Sequence, residues 1–353
     1  MTDLRLRFNA FVKLGSFFKE YCKYAKNKNQ IDGNSHAWFI KLDEILVVAE
    51  HHNGWFTPDN VLYSLENWAQ LLSPAPLESW LSAYDMEKNR TKTVALIMAG
   101  NIPLVGFHDF LSTLITGNRA LVKLSSNDKV LLPFIAQYLT EMEPTLKDYI
   151  FFSDGKLENF DAVIATGSDN TSRYFEHYFE KKHHIIRRNR NSVAVLSGSE
   201  TADELTALGE DIFRYYGLGC RSVSKLFVPK DYNFDPLFKA LYPFNAIIDQ
   251  KKYANNYDYN KAVYLMSLYK IVENGFLMLK EDENYASPIA TVFYEFYNSP
   301  EELEIRLSHE KNKIQCVVSQ GFMAGEVPFG QTQKPSLTDY ADNIDTVNFL
   351  LKI

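Results

Sequence analysis

Residues 94–106 read Val94-Ala-Leu-Ile-Met-Ala-Gly100-Asn101-Ile-Pro103-Leu-Val-Gly106. Six apolar residues in a row predict a strand buried on both faces, and the run stops at Gly100-Asn101. Pro103 restarts the chain as a helix, because proline is preorganised for a first helical turn. Gly117-Asn118 then introduces a second strand, Arg119-Ala-Leu-Val-Lys123-Leu124. A backbone that turns this sharply leaves helix amides and the Asn101 side chain at the carboxyl end of a parallel sheet, where α/β proteins bind ligands. Far downstream, Tyr216-Gly217-Leu-Gly219-Cys220-Arg221-Ser222 puts a cysteine in a tight turn ahead of another strand. The two stretches together read as a nucleotide site and a thiol nucleophile.

Working outward, strands alternate with helices. The pattern predicts strand 93–99, helix 103–116, strand 119–124, helix 128–141, strands 148–153 and 161–166, helix 170–180, strands 183–187 and 192–197, and helix 201–215. It resumes with strand 223–228, a tyrosine-rich stretch over 240–270, and strands near 289–296 and 314–318. Such alternation indicates doubly wound, mostly parallel sheets. Before residue 93 the chain is helical: Phe8, Phe11, Val12, Phe17, Phe18 and Tyr21 recur at helical spacing, and Thr57-Pro58-Asp59 opens another helix. We expect four regions. Residues 1–92 are helical and pack on the cofactor lobe, 93–200 form a nucleotide-binding lobe, and 201–320 form a catalytic lobe with the cysteine. Residues 321–353 form a tail with a final apolar strand, returning to the core or to an oligomer interface.

The 353 residues are enough for two such lobes, and 46% hydrophobic content fills both cores. The net charge of −7 argues against nucleic acid as a partner. Cys22, Cys220 and Cys316 are widely separated and have no metal-ligand spacing, which fits a reducing compartment and no metal. No run is long enough to span a bilayer, so the expected location is the cytoplasm. Aromatic content of 14% is read as an ordinary Phe- and Tyr-rich core rather than an acyl channel.

Four motifs in order carry a family resemblance: Gly100-Asn-Ile-Pro103, Gly117-Asn-Arg-Ala-Leu-Val-Lys-Leu-Ser125, Thr166-Gly167-Ser168, and the glycine-rich turn at Cys220. The chain resembles the aldehyde dehydrogenase superfamily, and within it the LuxC-like acyl-CoA reductases that supply aldehyde to bacterial luciferase. The resemblance implies an aldehyde dehydrogenase-like fold of two doubly wound α/β lobes. It implies NADPH-dependent reduction of a fatty acyl thioester, acyl-CoA or acyl-carrier, to the aldehyde, with coenzyme A as product. Two other readings stay open: a cysteine acyltransferase or thioesterase on the same fold, and a non-catalytic acyl-binding subunit. Base rates point to a homodimer.

Cys220 is the candidate nucleophile, since Gly217 and Gly219 let the backbone expose the thiol and its neighbours are polar. By resemblance, Asn101 donates to the acyl oxygen, the group on which charge builds up during reduction. The candidate cofactor residues are Gly100, Pro103, Lys123, Ser125, Ser126, Thr166, Gly167, Ser168 and Glu283. By resemblance Lys123 reaches the adenosine ribose. Ser126 stands where the family often has a glutamate on the ribose 2′-hydroxyl, and a hydroxyl there tolerates a 2′-phosphate, which favours NADPH. Glu283 stands in for the glutamate that the family places at Asn284. Arg187-Arg-Asn-Arg-Asn191-Ser occupies the place of the family's Glu-Leu-Gly-Gly-Lys, so no carboxylate is expected there to activate water. The basic run 181–190 is read evenly as a solvated edge or a phosphate contact.

Overall fold

The computed structural model describes residues 3–27, 37–86, 89–167 and 169–353. The chain divides into two units, Met1–Arg188 with Ser336–Ile353, and Asn189–Pro335. Both are α/β, as the strand–helix alternation predicts.

The first unit opens with helices α1 (Leu4–Lys26), α2 (Ala37–His52), α3 (Pro58–Leu71) and α4 (Pro74–Leu81). On α1, Phe11, Leu14, Phe18 and Tyr21 fall on one stripe and are completely buried. Phe17 stacks on Tyr138 with ring centroids 4.4 Å apart. The aromatic residues here are core, and Cys22 is buried among them. Five strands follow: β1 (Thr93–Ile97), β2 (Arg119–Lys123), β3 (Ile150–Phe152), β4 (Ala162–Thr166) and β5 (His183–Arg187). They form an all-parallel sheet in the order β3-β2-β1-β4-β5. Helices α5 (Phe107–Ile115), α6 (Leu131–Met142) and α7 (Asp169–Phe179) make the crossovers. The order reverses between β1 and β4, so the crevice of this sheet opens at their carboxyl ends.

The second unit carries a six-stranded sheet in the order β11-β6-β7-β10-β9-β8. Its strands are β6 (Asn191–Val195), β7 (Val223–Pro229), β8 (Ile271–Glu273), β9 (Met278–Glu281), β10 (Thr291–Tyr297) and β11 (Ile314–Val318). Only β8 is antiparallel to its neighbour. Helices α8 (Ala202–Phe213), α9 (Asp235–Leu241), α10 (Lys251–Met266) and α11 (Pro300–His309) complete it. Helix α8 starts with a full capping box between Thr201 and Glu204.

Four expectations are corrected. The helix after β1 begins at Phe107, not Pro103, because residues 101–106 form successive turns and Leu104 takes a left-handed φ of 58°. Strand β6 belongs to the sheet of the second unit, so the units divide after Arg188 rather than near residue 200. The tail that rejoins the first unit starts at Ser336, not 321. The final apolar segment is helix α12 (Thr346–Lys352), capped by the Asp345 side chain on the Asn348 amide. Val347 and Leu350 are fully buried at helical spacing, where a strand would have alternated.

Candidate active site

Strand β1 delivers Gly100 and Asn101 to the carboxyl edge of the first sheet, beside the end of β2. The approach is close: a Cβ on Gly100 would lie 2.7 Å from the Ser125 side chain and 3.2 Å from the Asp128 amide. Only glycine fits there. Pro103 is buried, and Ser64 of α3 donates to its carbonyl at 3.2 Å, which fixes the turn between β1 and α5. Lys123 ends β2, and its ammonium reaches the carbonyl of Gly155 at 3.1 Å. Ser125 is half-buried and accepts from the Asn127 amide, whereas Ser126 is exposed. Strand β4 ends at Thr166, and a Cβ on Gly167 would lie 3.0 Å from the Thr171 side chain of α7. Ser168 lies outside the described residues. The sheet therefore brings Gly100, Asn101, Lys123, Ser125, Ser126, Thr166 and Gly167 to its carboxyl edge, because each ends or follows one of the three adjacent parallel strands β2, β1 and β4.

Asp128 was not singled out in the sequence, yet it returns a carboxylate to the loop after β2. Burial pushes its carboxyl up, against the pull of the Leu131 and Val130 amides. Its side chain accepts from the Leu131 amide at 3.3 Å, at the start of α6. Asp128 is thus engaged with the helix start, and Ser126 is exposed in the loop, as are Asn127 and Lys129.

In the second unit, α8 ends at Phe213 and the backbone unrolls through three left-handed residues, Tyr215, Tyr216 and Gly217, with φ of 54°, 58° and 74°. Two consecutive non-glycine residues in this region are strained. Cys220 follows three residues after Gly217, half-buried and in no disulfide. It sits at the amino end of β7, held by its own carbonyl: Ser192 of β6 donates to it at 3.0 Å. The Ser222 amide closes the turn on Gly219 at 2.9 Å. Between Val223 and Lys225 the pairing with β6 slips by one residue, leaving a bulge at Ser224. The other cysteines differ: burial pushes the Cys22 thiol up to about 12, and Cys316 is buried in β11.

Glu283 is exposed on the turn after β9, and so is Asn284. The turn is anchored from below by Lys225, whose side chain is completely buried. The Lys225 ammonium donates to the carbonyls of Asp282 at 3.0 Å and Glu283 at 2.8 Å, and to Glu295 at 2.6 Å. Burial lowers the Lys225 pKa, and Glu295 opposes the shift. A lysine inside the apolar run of β7 was the sequence signal for this anchor.

Several members of the basic run are engaged within their own unit. Arg187 ion-pairs with buried Asp109 of α5 and donates to Thr346 Oγ1 of α12 at 3.0 Å. Arg188 pairs with Glu176, and Lys182 donates to the Phe160 carbonyl. Arg187 therefore ties the returning tail to α5 within the first unit. Among the described residues there is no cluster of metal-ligating side chains and no helix long and apolar enough to cross a membrane.

Residues 34–237 match the family model described as Acyl-CoA reductase (LuxC). No curated protein matches the sequence. Among solved structures, an indole-3-acetaldehyde dehydrogenase in complex with NAD+ superimposes with a TM-score of 0.65 at 13% identity, covering 90% of this chain and 72% of that one. Aldehyde dehydrogenase 21 from Physcomitrella patens, in complex with succinate, gives 0.67 at 12% identity over 99% and 84%. An aldehyde dehydrogenase from Bacillus cereus in its NAD+ complex gives 0.60 at 15% identity over 90% and 72%. At these identities the likeness establishes the fold.

Proposed function

This chain belongs to the acyl-CoA reductase (LuxC) family, and from that premise we propose that it reduces a fatty acyl thioester to the aldehyde with NADPH, through a thioester on Cys220. Membership makes it an oxidoreductase of the aldehyde level on an aldehyde dehydrogenase fold. The observation that carries the finer reading is the cysteine turn. Among the three thiols, Cys220 alone is not buried, and it follows a strained left-handed turn. Strain of this kind collects at functional sites.

The chain supplies the following chemistry. The Cys220 thiolate attacks the acyl carbonyl carbon, and the sulfur of the donor thioester leaves as a thiol after taking up a proton. Asn101, by resemblance, donates its amide to the acyl oxygen, where negative charge develops. When bound, the reduced nicotinamide supplies the hydride. The carbon–sulfur bond to Cys220 then breaks, regenerating the thiolate and releasing aldehyde. The end of the first sheet supports a dinucleotide site: Gly100 clears the floor beside Ser125, Gly167 closes against α7, Lys123 ends β2 and Ser126 stands in the loop after it. Two of the similar structures are NAD+ complexes. The preference for NADPH rests on Ser126 being exposed while the Asp128 carboxylate accepts from the start of α6.

The test is intact-mass measurement after incubation with a long-chain acyl-CoA without reductant. Wild type gains one acyl group, Cys220→Ala gains none, and adding NADPH discharges the adduct as aldehyde. An adduct on Cys22 or Cys316, with Cys220→Ala still turning over, overturns the assignment. An adduct that discharges only as free acid favours the thioesterase reading.

A further inference from the structure

The turn that carries Cys220 is tied to a distant segment of the second unit, residues 330–333, by contacts that no motif announces. Arg221, next to the cysteine, donates its Nε to the Thr332 carbonyl. Ser222 accepts from the Gln333 amide group at 3.2 Å. The far side of the same segment is held by Asp211, in the last turn of α8. The Asp211 carboxylate is wholly inaccessible to solvent. It accepts from the Gly330 amide at 2.6 Å, the Thr332 amide at 3.0 Å and the Thr332 hydroxyl at 2.8 Å. Gly330 is left-handed, with φ of 77°, and a Cβ there would press on Ala207 of α8 at 3.1 Å. The segment is thus seated on α8 and reaches across to the two residues that follow Cys220.

We propose that Asp211 and Thr332 are positioning residues for Cys220, holding the 219–222 turn in the form that presents the thiol; the proposal rests on the reading of Cys220 as nucleophile. Three facts carry it. A carboxylate is costly to bury, and here its three donors are two backbone amides and a hydroxyl, so it is satisfied by geometry alone. The clamped segment bonds directly to Arg221 and Ser222, the two residues after the cysteine, and Ser192 of β6 fixes the cysteine carbonyl from another side. The left-handed residues 215–217 lie between Asp211 and the turn, and strained residues persist only where their surroundings over-determine them. Asp211 pins the chain before the strain, and Thr332 pins it after.

The discriminating pair is Thr332→Val and Thr332→Ser. Valine keeps the backbone amide and the shape but deletes the hydroxyl donor, whereas serine keeps the donor. Two readouts are taken on the full chain: the rate of Cys220 alkylation by iodoacetamide as a function of pH, located by peptide mapping, and kcat against KM with acyl-CoA. Thr332→Val is expected to slow both alkylation and kcat by about ten-fold or more, to shift the alkylation profile, and to leave KM near wild type. Thr332→Ser is expected to restore the profile. Asp211→Asn repeats the loss, and if it does not fold, the Thr332 pair decides. Unchanged alkylation and kcat in Thr332→Val, with only a lower melting temperature, overturns the positioning role. Failure of the nucleophile assignment is seen separately, as turnover by Cys220→Ala.

Discussion

Arg187 shows how one residue changes meaning when its surroundings are known. In sequence it stands where a related enzyme carries a base; in the fold its guanidinium is buried against Asp109 and Thr346. Removing one member of a buried pair leaves the other charge uncompensated, at a cost of about 3–5 kcal/mol. Arg187→Met is therefore expected to lower the denaturant midpoint strongly, and Arg187→Glu to do so further by setting two carboxylates together, with no gain of acyl hydrolysis. A stable Arg187→Glu variant with faster acid release would show that this position acts in chemistry. Ser126 is the opposite case, exposed and without a structural task of its own. Ser126→Glu places a negative charge where the proposed ribose 2′-phosphate binds. It is expected to raise the KM for NADPH by about ten-fold, on the order of 1.4 kcal/mol, and to spare NADH. An unchanged cofactor preference in steady-state kinetics would move the ribose elsewhere.

At the scale of elements, the turn between β9 and β10 is held from two sides. Lys225 of β7 bonds its carbonyls, and Tyr285 donates its hydroxyl to Glu310 at the end of α11. Lys313, with Tyr285 and Arg306, holds the Glu310 carboxyl down at about 2. A depressed carboxylate contributes stability that is complete above its unfolded value near 4.5 and is lost as pH falls toward 2. Wild type is thus expected to melt higher than Glu310→Gln at pH 6, with the gap closing as pH drops from about 4.5 to about 2. A gap that stays constant over that range would mean that Glu310 is not charged in the folded protein. The elements misjudged from sequence share a cause. Both α12 and the turns before α5 are short, and their form is set by contacts with α5 and α3, not by local propensity.

For the molecule as a whole, the return of the tail is decisive. Trp80 donates to the Tyr340 hydroxyl at 2.7 Å, Tyr84 bonds both Tyr340 and Asp345, and Arg187 reaches Thr346. The first unit is completed by residues that follow the entire second unit in the chain. All four tryptophans, Trp38, Trp55, Trp68 and Trp80, lie in that first unit. Their fluorescence therefore reports its unfolding alone. Deleting Ser336–Ile353 is expected to shift the tryptophan transition to much lower denaturant, whereas circular dichroism retains a later transition from the second unit. A tryptophan transition indifferent to the deletion would show that the tail is dispensable for the fold.

Sequence alone determined the two α/β lobes, the central strands and the glycine turns at Gly100, Gly167 and Cys220. These depend on local rules: continuous apolar runs make buried parallel strands, and glycine marks positions where backbone must pass close to its neighbours. The order of motifs also sufficed to point to the family. Tertiary structure decided the rest. Asp211 lies on the apolar stripe of α8 with Leu205, Leu208 and Ile212, and Lys225 lies in an apolar strand; pattern alone shows that each is out of place but not what it binds. Their partners, Gly330 and Thr332 for one and the carbonyls of 282 and 283 for the other, are more than fifty residues away. A buried charge is tolerated only where donors or acceptors converge on it, and that convergence is a property of the folded chain.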